Sequence, residues 1–349
     1  METRHGAADV VVVGAGPCGL AAAIAVQRAG LTATVIEREC VVSGIASYPT
    51  YMTFFSTAPK LAIGDVPFVI ATEKPTRRDA LAYYRAVVAH YDLDVRQYET
   101  VVEVQPMTPS GPSDGAQLEP RYRVRSLPRT GGERITEAHA VVIATGYFGA
   151  PNSIGVPGED LPHVTHLYRE GHVAFRQHAV VVGGGNSAVE AALDLHWSGA
   201  RVTLVHFGPT FDRNIKPWVL PTIEARMASG EIAVRWNATV ERIDPGFVSL
   251  RTQAGAERIP AGHVYLMLGY MPEVGLLRDL GVAIETETGI PRHDPATMET
   301  AVPGVFIAGV IASGHDANKT FIENGRFHGD LIARRLAAGG EAVANPSPS

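Results

Sequence analysis

The chain has 349 residues, of which 46% are hydrophobic and 19% charged, enough apolar material for two packed cores and too much for a disordered chain. A formal net charge of -6, with no Lys/Arg run interleaved with aromatics, argues against a nucleic-acid partner. The two cysteines, Cys18 and Cys40, are too few for a secreted disulfide framework and too far apart for a C-x-x-C pair, so a cytoplasmic location is expected.

The most apolar stretch, residues 10–26, is interrupted by Gly14, Gly16 and Gly19 and followed by charge at Arg28, with no small-residue cleavage site. It reads as a buried strand turning into a helix, and neither a signal peptide nor a membrane span is expected. Residues 9–13 are an apolar strand, residues 14–19 a tight turn, residues 20–30 an Ala-rich helix, and residues 32–37 a second strand. That order predicts a parallel β-α-β unit.

Gly14-Ala15-Gly16-Pro17-Cys18-Gly19 matches G-x-G-x-x-G, and Glu37 ends the next strand. Gly14 permits the turn, Gly16 lets the backbone approach a pyrophosphate, Gly19 allows close helix–sheet packing, and the helix N-terminus offers N–H groups to phosphate. Glu37 is the expected ribose ligand.

The Pro/Gly/Ser-rich stretch 106–115 is expected to be an exposed loop. The β-α-β pattern then returns, with a strand over 178–182, a turn over 183–188, a helix over 189–198 and a strand over 201–206. Gly183, Gly185 and Ala188, with Asn186 and Ser187 between them, form the G-x-G-x-x-A variant of the motif. The following Val205-His206-Phe207-Gly208 carries no carboxylate, which tolerates a ribose 2′-phosphate and favours NADPH over NADH; Arg213 and Lys216 are the candidate cations. Both are equally well read as solvated surface charges.

Strands over 239–243, 247–250 and 264–268 complete the second domain, and residues 304–308 return as a strand of the first sheet. The fold expected is α/β, with two Rossmann-like dinucleotide-binding domains, the second inserted in the first. Residues 1–155 and 290–349 would form the first of these domains and residues 156–289 the second. A helix over 318–329 would aim the N–H groups of Thr320 and Phe321 at the cofactor of the first domain, and the tail 339–349 would fray.

The turn Ala144-Thr145-Gly146 and the turn Gly269-Tyr270-Met271-Pro272 resemble those of the two-dinucleotide-binding flavoproteins, which include thioredoxin reductases and flavin monooxygenases. Five further strings, Gly16-Pro17-Cys18-Gly19-Leu20, the stretch 48–57, Lys74-Pro75-Thr76-Arg77, Ile215-Lys216-Pro217-Trp218 and the stretch 321–329, resemble the YpdA-type bacillithiol disulfide reductases over nearly the whole chain. The resemblance implies FAD, NADPH, a homodimer, and reduction of the disulfide of a low-molecular-weight thiol. It also supplies a matching cysteine at Cys18, in the first helical turn, where the dipole should favour a thiolate while a bound pyrophosphate opposes it. A small thiol packed beneath FAD is the equal alternative.

Thr53 and Phe54 are expected to wall the flavin, although such an aromatic stripe is as often core. Phe207 departs from the family, replacing an arginine expected at the 2′-phosphate, and Gly309-Val310 departs from the wider superfamily's Gly-Asp at the ribityl chain, where the YpdA-type proteins resemble this chain in lacking the aspartate. A thioredoxin reductase is excluded by the missing cysteine pair. A flavin monooxygenase is disfavoured because its F-x-G-x-x-x-H fingerprint is absent before His166. A flavin redox sensor with negligible turnover remains as a reading from another class. No metal site is expected.

Overall fold

The structure is a computed structural model that describes residues 3–107, 121–147, 149–212, 215–317 and 319–338. Arg213, most of the loop 106–115, residue 318 and the tail 339–349 lie outside them.

The chain divides into two compact units, one of Met1–Ala46, Thr53–Gly149 and Met271–Ser349, the other of Ser47–Met52 and Ala150–Tyr270. The second unit thus ends at Tyr270, before the boundary expected at residue 289, and includes the short segment Ser47–Met52, where Thr50 N–H donates to Arg169 O at 3.0 Å. That backbone bond between residues far apart in sequence is invisible to a linear reading.

In the first unit, β1 (Thr3–Val13) leads through a glycine turn into α1 (Pro17–Arg28) and returns as β2 (Ala33–Glu37). Val10, Val11 and Val12 are fully buried, as are Leu20, Ala22 and Ala23, because a parallel strand is covered on both faces by its crossover helices. Next come α2 (Arg77–His90), β3 (Asp94–Gln97), β4 (Glu99–Pro106), β5 (Tyr122–Pro128) and β6 (Glu133–Ile143). Thr76 caps α2 by accepting from Asp79 N–H at 3.2 Å, while Asp79 Oδ2 accepts from Thr76 N–H at 2.9 Å.

The second unit opens with β7 (Val164–Thr165) and β8 (His178–Val182), then α3 (Asn186–Trp197), β9 (Arg201–Val205), α4 (Leu220–Ala228) and β10 (Ile232–Arg235). A meander of β11 (Thr239–Asp244), β12 (Gly246–Thr252) and β13 (Gly255–Ala261) precedes β14 (His263–Leu266). Its main sheet has the order β10-β9-β8-β14-β7 and is parallel throughout, with the antiparallel meander as a separate sheet. Val180, Val182 and Val205 on one side of that sheet pack with Val248 and Leu250 of the meander.

After the chain returns to the first unit at Met271, β15 (Val305–Ile307) pairs parallel to β6 as expected. The first sheet has the order β3-β2-β1-β6-β5-β4, parallel at β3-β2-β1-β6 and antiparallel at β6-β5-β4. Last come α5 (Ile322–Gly325) and α6 (His328–Ala337). The single helix expected over 318–329 is therefore two helices, broken at Arg326 and Phe327. Among the described residues no helix is long and apolar enough to cross a membrane.

Candidate functional site

The two glycine turns are built alike, down to single hydrogen bonds. In the first, Val13 pairs with Ile36, Gly14 N–H donates to Ile36 O, and Ala144 N–H donates to Val13 O. In the second, Val182 pairs with Val205, Gly183 N–H donates to Val205 O, and Met267 N–H donates to Val182 O. Gly14 (φ 108°) and Gly183 (φ 143°) have backbone conformations that a side chain rarely adopts, and a Cβ would stand 2.5 Å from Ala144 O in the first case and 2.4 Å from Met267 O in the second.

The helix starts are open. Gly16 caps α1 and Gly185 caps α3 with no side-chain hydrogen bond, so the N–H groups of each first turn are not screened by a capping side chain. A Cβ on Gly16 would meet nothing within 4 Å, which leaves room for a pyrophosphate. Gly146, after the A-T-G turn, likewise faces open space, and the buried Thr145 Oγ1 has no hydrogen-bond partner. A buried hydroxyl left unpaired is costly, so a ligand that bonds it would be favoured.

Glu37 is buried and accepts three hydrogen bonds: Oε2 from Ala15 N–H of the turn at 2.8 Å, and Oε1 from Glu39 N–H at 2.9 Å and from Ser43 Oγ at 3.3 Å. A carboxylate offers about four acceptor sites, so one remains for a ribose hydroxyl. These features together fit the pyrophosphate and ribose of a dinucleotide at the first turn.

Cys18 does not behave as the helix dipole suggests. A Cβ on Gly309 would stand 2.9 Å from Cys18 Cβ, and one on Gly325 would stand 2.9 Å from Sγ, so the thiol is packed against two glycines. Burial pushes its pKa up to about 12, and no positive group offsets the loss of water. The free protein therefore carries Cys18 as a neutral thiol. Gly309 (φ 80°) donates its N–H to His328 Nδ1 at 3.1 Å, and burial, followed by the charge of His293, lowers the His328 pKa to about 4.

That shift predicts a stability slope. Between pH 6.5 and about 4 the unfolded chain binds a proton that the folded imidazole refuses, so stability falls as pH drops through this window, by up to about 3 kcal/mol. Urea midpoints at pH 7, 5 and 4 for the parent and His328→Gln check it, since the variant should lose that part of the slope. Parallel curves for the two proteins would show that His328 does not carry it.

Other expected flavin contacts change. Phe54 is buried in the core and donates its N–H to Pro75 O at 2.8 Å, while Thr53 is exposed and bridges to Thr76. Phe54 therefore packs the first unit and does not present an open face. Phe321 N–H is taken by Asn324 Oδ1 at 2.8 Å, and the Thr320 hydroxyl meets Ser313 Oγ at 2.5 Å. With α5 only four residues long, the helix-dipole role assigned to Thr320 and Phe321 has no helix to support it.

In the second turn, Ala188 is buried, Ser187 is exposed, and Asn186 Oδ1 accepts from Lys216 N–H at 2.9 Å. Lys216 Nζ is salt-bridged to Glu190 at 2.9 Å, so the cation expected at the 2′-phosphate ties the following loop to α3 instead. Phe207 is largely exposed.

Two residues that motif reading passed over lie against this turn: His206, buried at 4% exposure, and Asp212, whose N–H donates to Gly184 O at 3.0 Å. The signal for His206 was its position, at the end of the strand after the glycine turn, where the first copy has Glu37. Among the described residues no cluster of His, Cys, Asp or Glu could hold a metal ion.

Comparison with known proteins places the chain. The family model described as pyridine nucleotide-disulphide oxidoreductase matches residues 11–309. The chain is 44% identical to the protein named bacilliredoxin reductase Bdr of Bacillus subtilis, over 94% of this chain and 97% of that one. Among solved structures, bacillithiol disulfide reductase Bdr (YpdA) from Bacillus cereus superposes with a TM-score of 0.88 at 44% identity, over 95% of this chain and 99% of that one. The enzyme of the same name from Staphylococcus aureus gives 0.87 at 39%, over 96% and 100%. The chain belongs to the pyridine nucleotide-disulphide oxidoreductase family and, within it, to the Bdr (YpdA) group.

Proposed function

We propose that the protein is an FAD-dependent, NADPH-consuming reductase of a low-molecular-weight disulfide, with bacillithiol disulfide as its substrate. The observation that carries this reading is 44% identity, across nearly the full length of both chains, to a solved reductase named for that substrate. The sequence supplies a chemical constraint in the same direction: both cysteines, Cys18 and Cys40, belong to the first unit, so no cysteine pair in the second can relay electrons to a protein partner.

The first unit would hold FAD, with Gly14, Gly16, Pro17 and Gly19 shaping the pyrophosphate seat, Glu37 accepting from the ribose, and Thr145 Oγ1, Gly146 and Gly309 along the rest of the cofactor. The second would hold the nicotinamide dinucleotide at Gly183, Gly185, Ser187 and Ala188. When bound, the flavin supplies the two-electron carrier between nicotinamide and disulfide. The chain's own contribution is to orient the two cofactors and to keep Cys18 protonated until a substrate or cofactor changes its surroundings.

The balance is NADPH, one proton and one disulfide giving NADP and two thiols. The FAD-loaded protein should oxidise NADPH without oxygen only when bacillithiol disulfide is present, releasing two thiols per NADPH. Reduced flavin without thiol release would sink the proposal. The name of the Bacillus subtilis relative motivates a second arm with oxidised bacilliredoxin; turnover with that protein alone would replace the small disulfide by a protein substrate. Cys18→Ser, loaded with FAD, separates direct reduction at the flavin from a route through the cysteine: undiminished turnover excludes the latter.

A further inference from the structure

The internal repeat assigns a role to a residue that no motif names. Glu37 and His206 occupy the same place in the two units, each one residue past a strand position (Ile36 and Val205) that is paired in register with the residue before the glycine turn. The equivalence extends further along the chain, because Val42 N–H donates to Ala15 O in the first unit and Asp212 N–H donates to Gly184 O in the second. Glu37 grips its turn by accepting from Ala15 N–H. His206 lies against its turn differently.

A Cβ on Gly184 would stand 2.3 Å from His206 Cε1 and 2.6 Å from both Nδ1 and Nε2. The imidazole therefore fills the space that the Ala15 methyl group has in the first unit, and position 184 has to be glycine. His206 is 4% exposed, and its Nδ1 has no hydrogen-bond partner. The groups facing the ring are Asp212, whose Oδ1 is 3.8 Å from Nε2, the Phe207 ring at 4.6 Å and the Trp236 ring at 6.0 Å.

Among the described residues, two cations near the turn are committed elsewhere, Arg235 in a bidentate pair with Glu257 and Lys216 to Glu190, while Arg213 lies outside them. A buried imidazole whose Nδ1 has no partner, at the position from which Glu37 would address a ribose in the repeat's other copy, is suited to a ligand that satisfies it.

Resting on the dinucleotide reading above, we propose that His206 reads the adenosine ribose in the second unit and accommodates the 2′-phosphate that a carboxylate at this position would repel. An imidazole is neutral or cationic and can donate a hydrogen bond to a phosphate oxygen, whereas the acid usual at this position accepts from a free 2′-hydroxyl. The Asp212 carboxylate works against the phosphate and limits the preference.

The test is calorimetric binding of two dinucleotide fragments, 2′,5′-ADP and 5′-AMP, to the FAD-loaded protein and its variants, so that the readout does not depend on turnover. The parent should prefer 2′,5′-ADP at least tenfold. His206→Glu should erase at least tenfold of that preference, and His206→Gln, which keeps a donor but cannot carry charge, should fall between.

Asp212→Asn, at an exposed site that tolerates change, should strengthen 2′,5′-ADP binding severalfold and provides the test if the buried substitution does not fold. Equal binding of both fragments by the parent, or a parental preference untouched in the folded variants, overturns the role of His206. Binding of neither fragment overturns the dinucleotide assignment itself, while disulfide turnover is scored separately.

Discussion

Gly19→Ala is expected to yield protein that purifies without flavin and melts several degrees below the parent. A Cβ at this position would stand 2.1 Å from Gly14 O, and that oxygen belongs to the turn itself, so no flexible side chain can give way. Either α1 lifts away from β1 or the turn changes shape, and overpacking of this kind costs about 3 kcal/mol at the upper end of its usual range. Both routes move the N–H groups that would receive the pyrophosphate. The ratio of flavin to protein absorbance and a thermal melt check it. A variant that keeps one flavin per chain and the parental melting temperature would remove Gly19 from the cofactor seat.

The second large effect lies in the antiparallel half of the first sheet. Glu99 is buried at 3% exposure and receives Arg134 Nη1 at 2.5 Å and Ser126 Oγ at 2.6 Å. Arg134→Met keeps the length of the side chain but strands a buried carboxylate with one neutral donor. Removing one partner of a buried ion pair costs about 3–5 kcal/mol, much more than an exposed pair such as Arg28–Asp65 contributes.

The double variant Arg134→Met/Glu99→Gln should recover part of that loss, because the uncompensated charge is gone. Chemical denaturation of the parent, the single variant and the double variant measures both quantities. A single variant within about 1 kcal/mol of the parent would mean that water reaches Glu99 on opening.

The strands and helices around both glycine turns could be read from sequence because their signals are local. Four consecutive apolar residues at 10–13 and five residues over 178–182 precede glycines whose positive φ no other residue adopts easily; the second strand has the expected bounds, and the first ends where expected but begins at Thr3 instead of residue 9. The return of residues 304–308 to the first sheet was also legible as an apolar run, and β15 pairs with β6 there. The helix over 318–329 was not. Its pattern is helical on both sides of Arg326, but that side chain donates to Pro59 O at 2.9 Å and Ala62 O at 2.5 Å, contacts more than 260 positions away in sequence.

Cys18 shows the same limit for chemistry. Its place in a first helical turn predicts a lowered pKa, whereas close packing against Gly309 and Gly325, brought in from the far end of the chain, goes with a thiol held at about 12.

By itself, then, the sequence determined two strand–turn–helix units, the absence of a cysteine pair, and kinship with the Bdr group, because each depends on residue type and spacing within a short window or on summed identity. Only the tertiary structure decided that Cys18 is protonated, that Lys216 is paired with Glu190, and that His206 stands where the other repeat has Glu37. Protonation and hydrogen bonding depend on which distant groups exclude water or supply a partner within about 3 Å, and a linear chain does not state those distances.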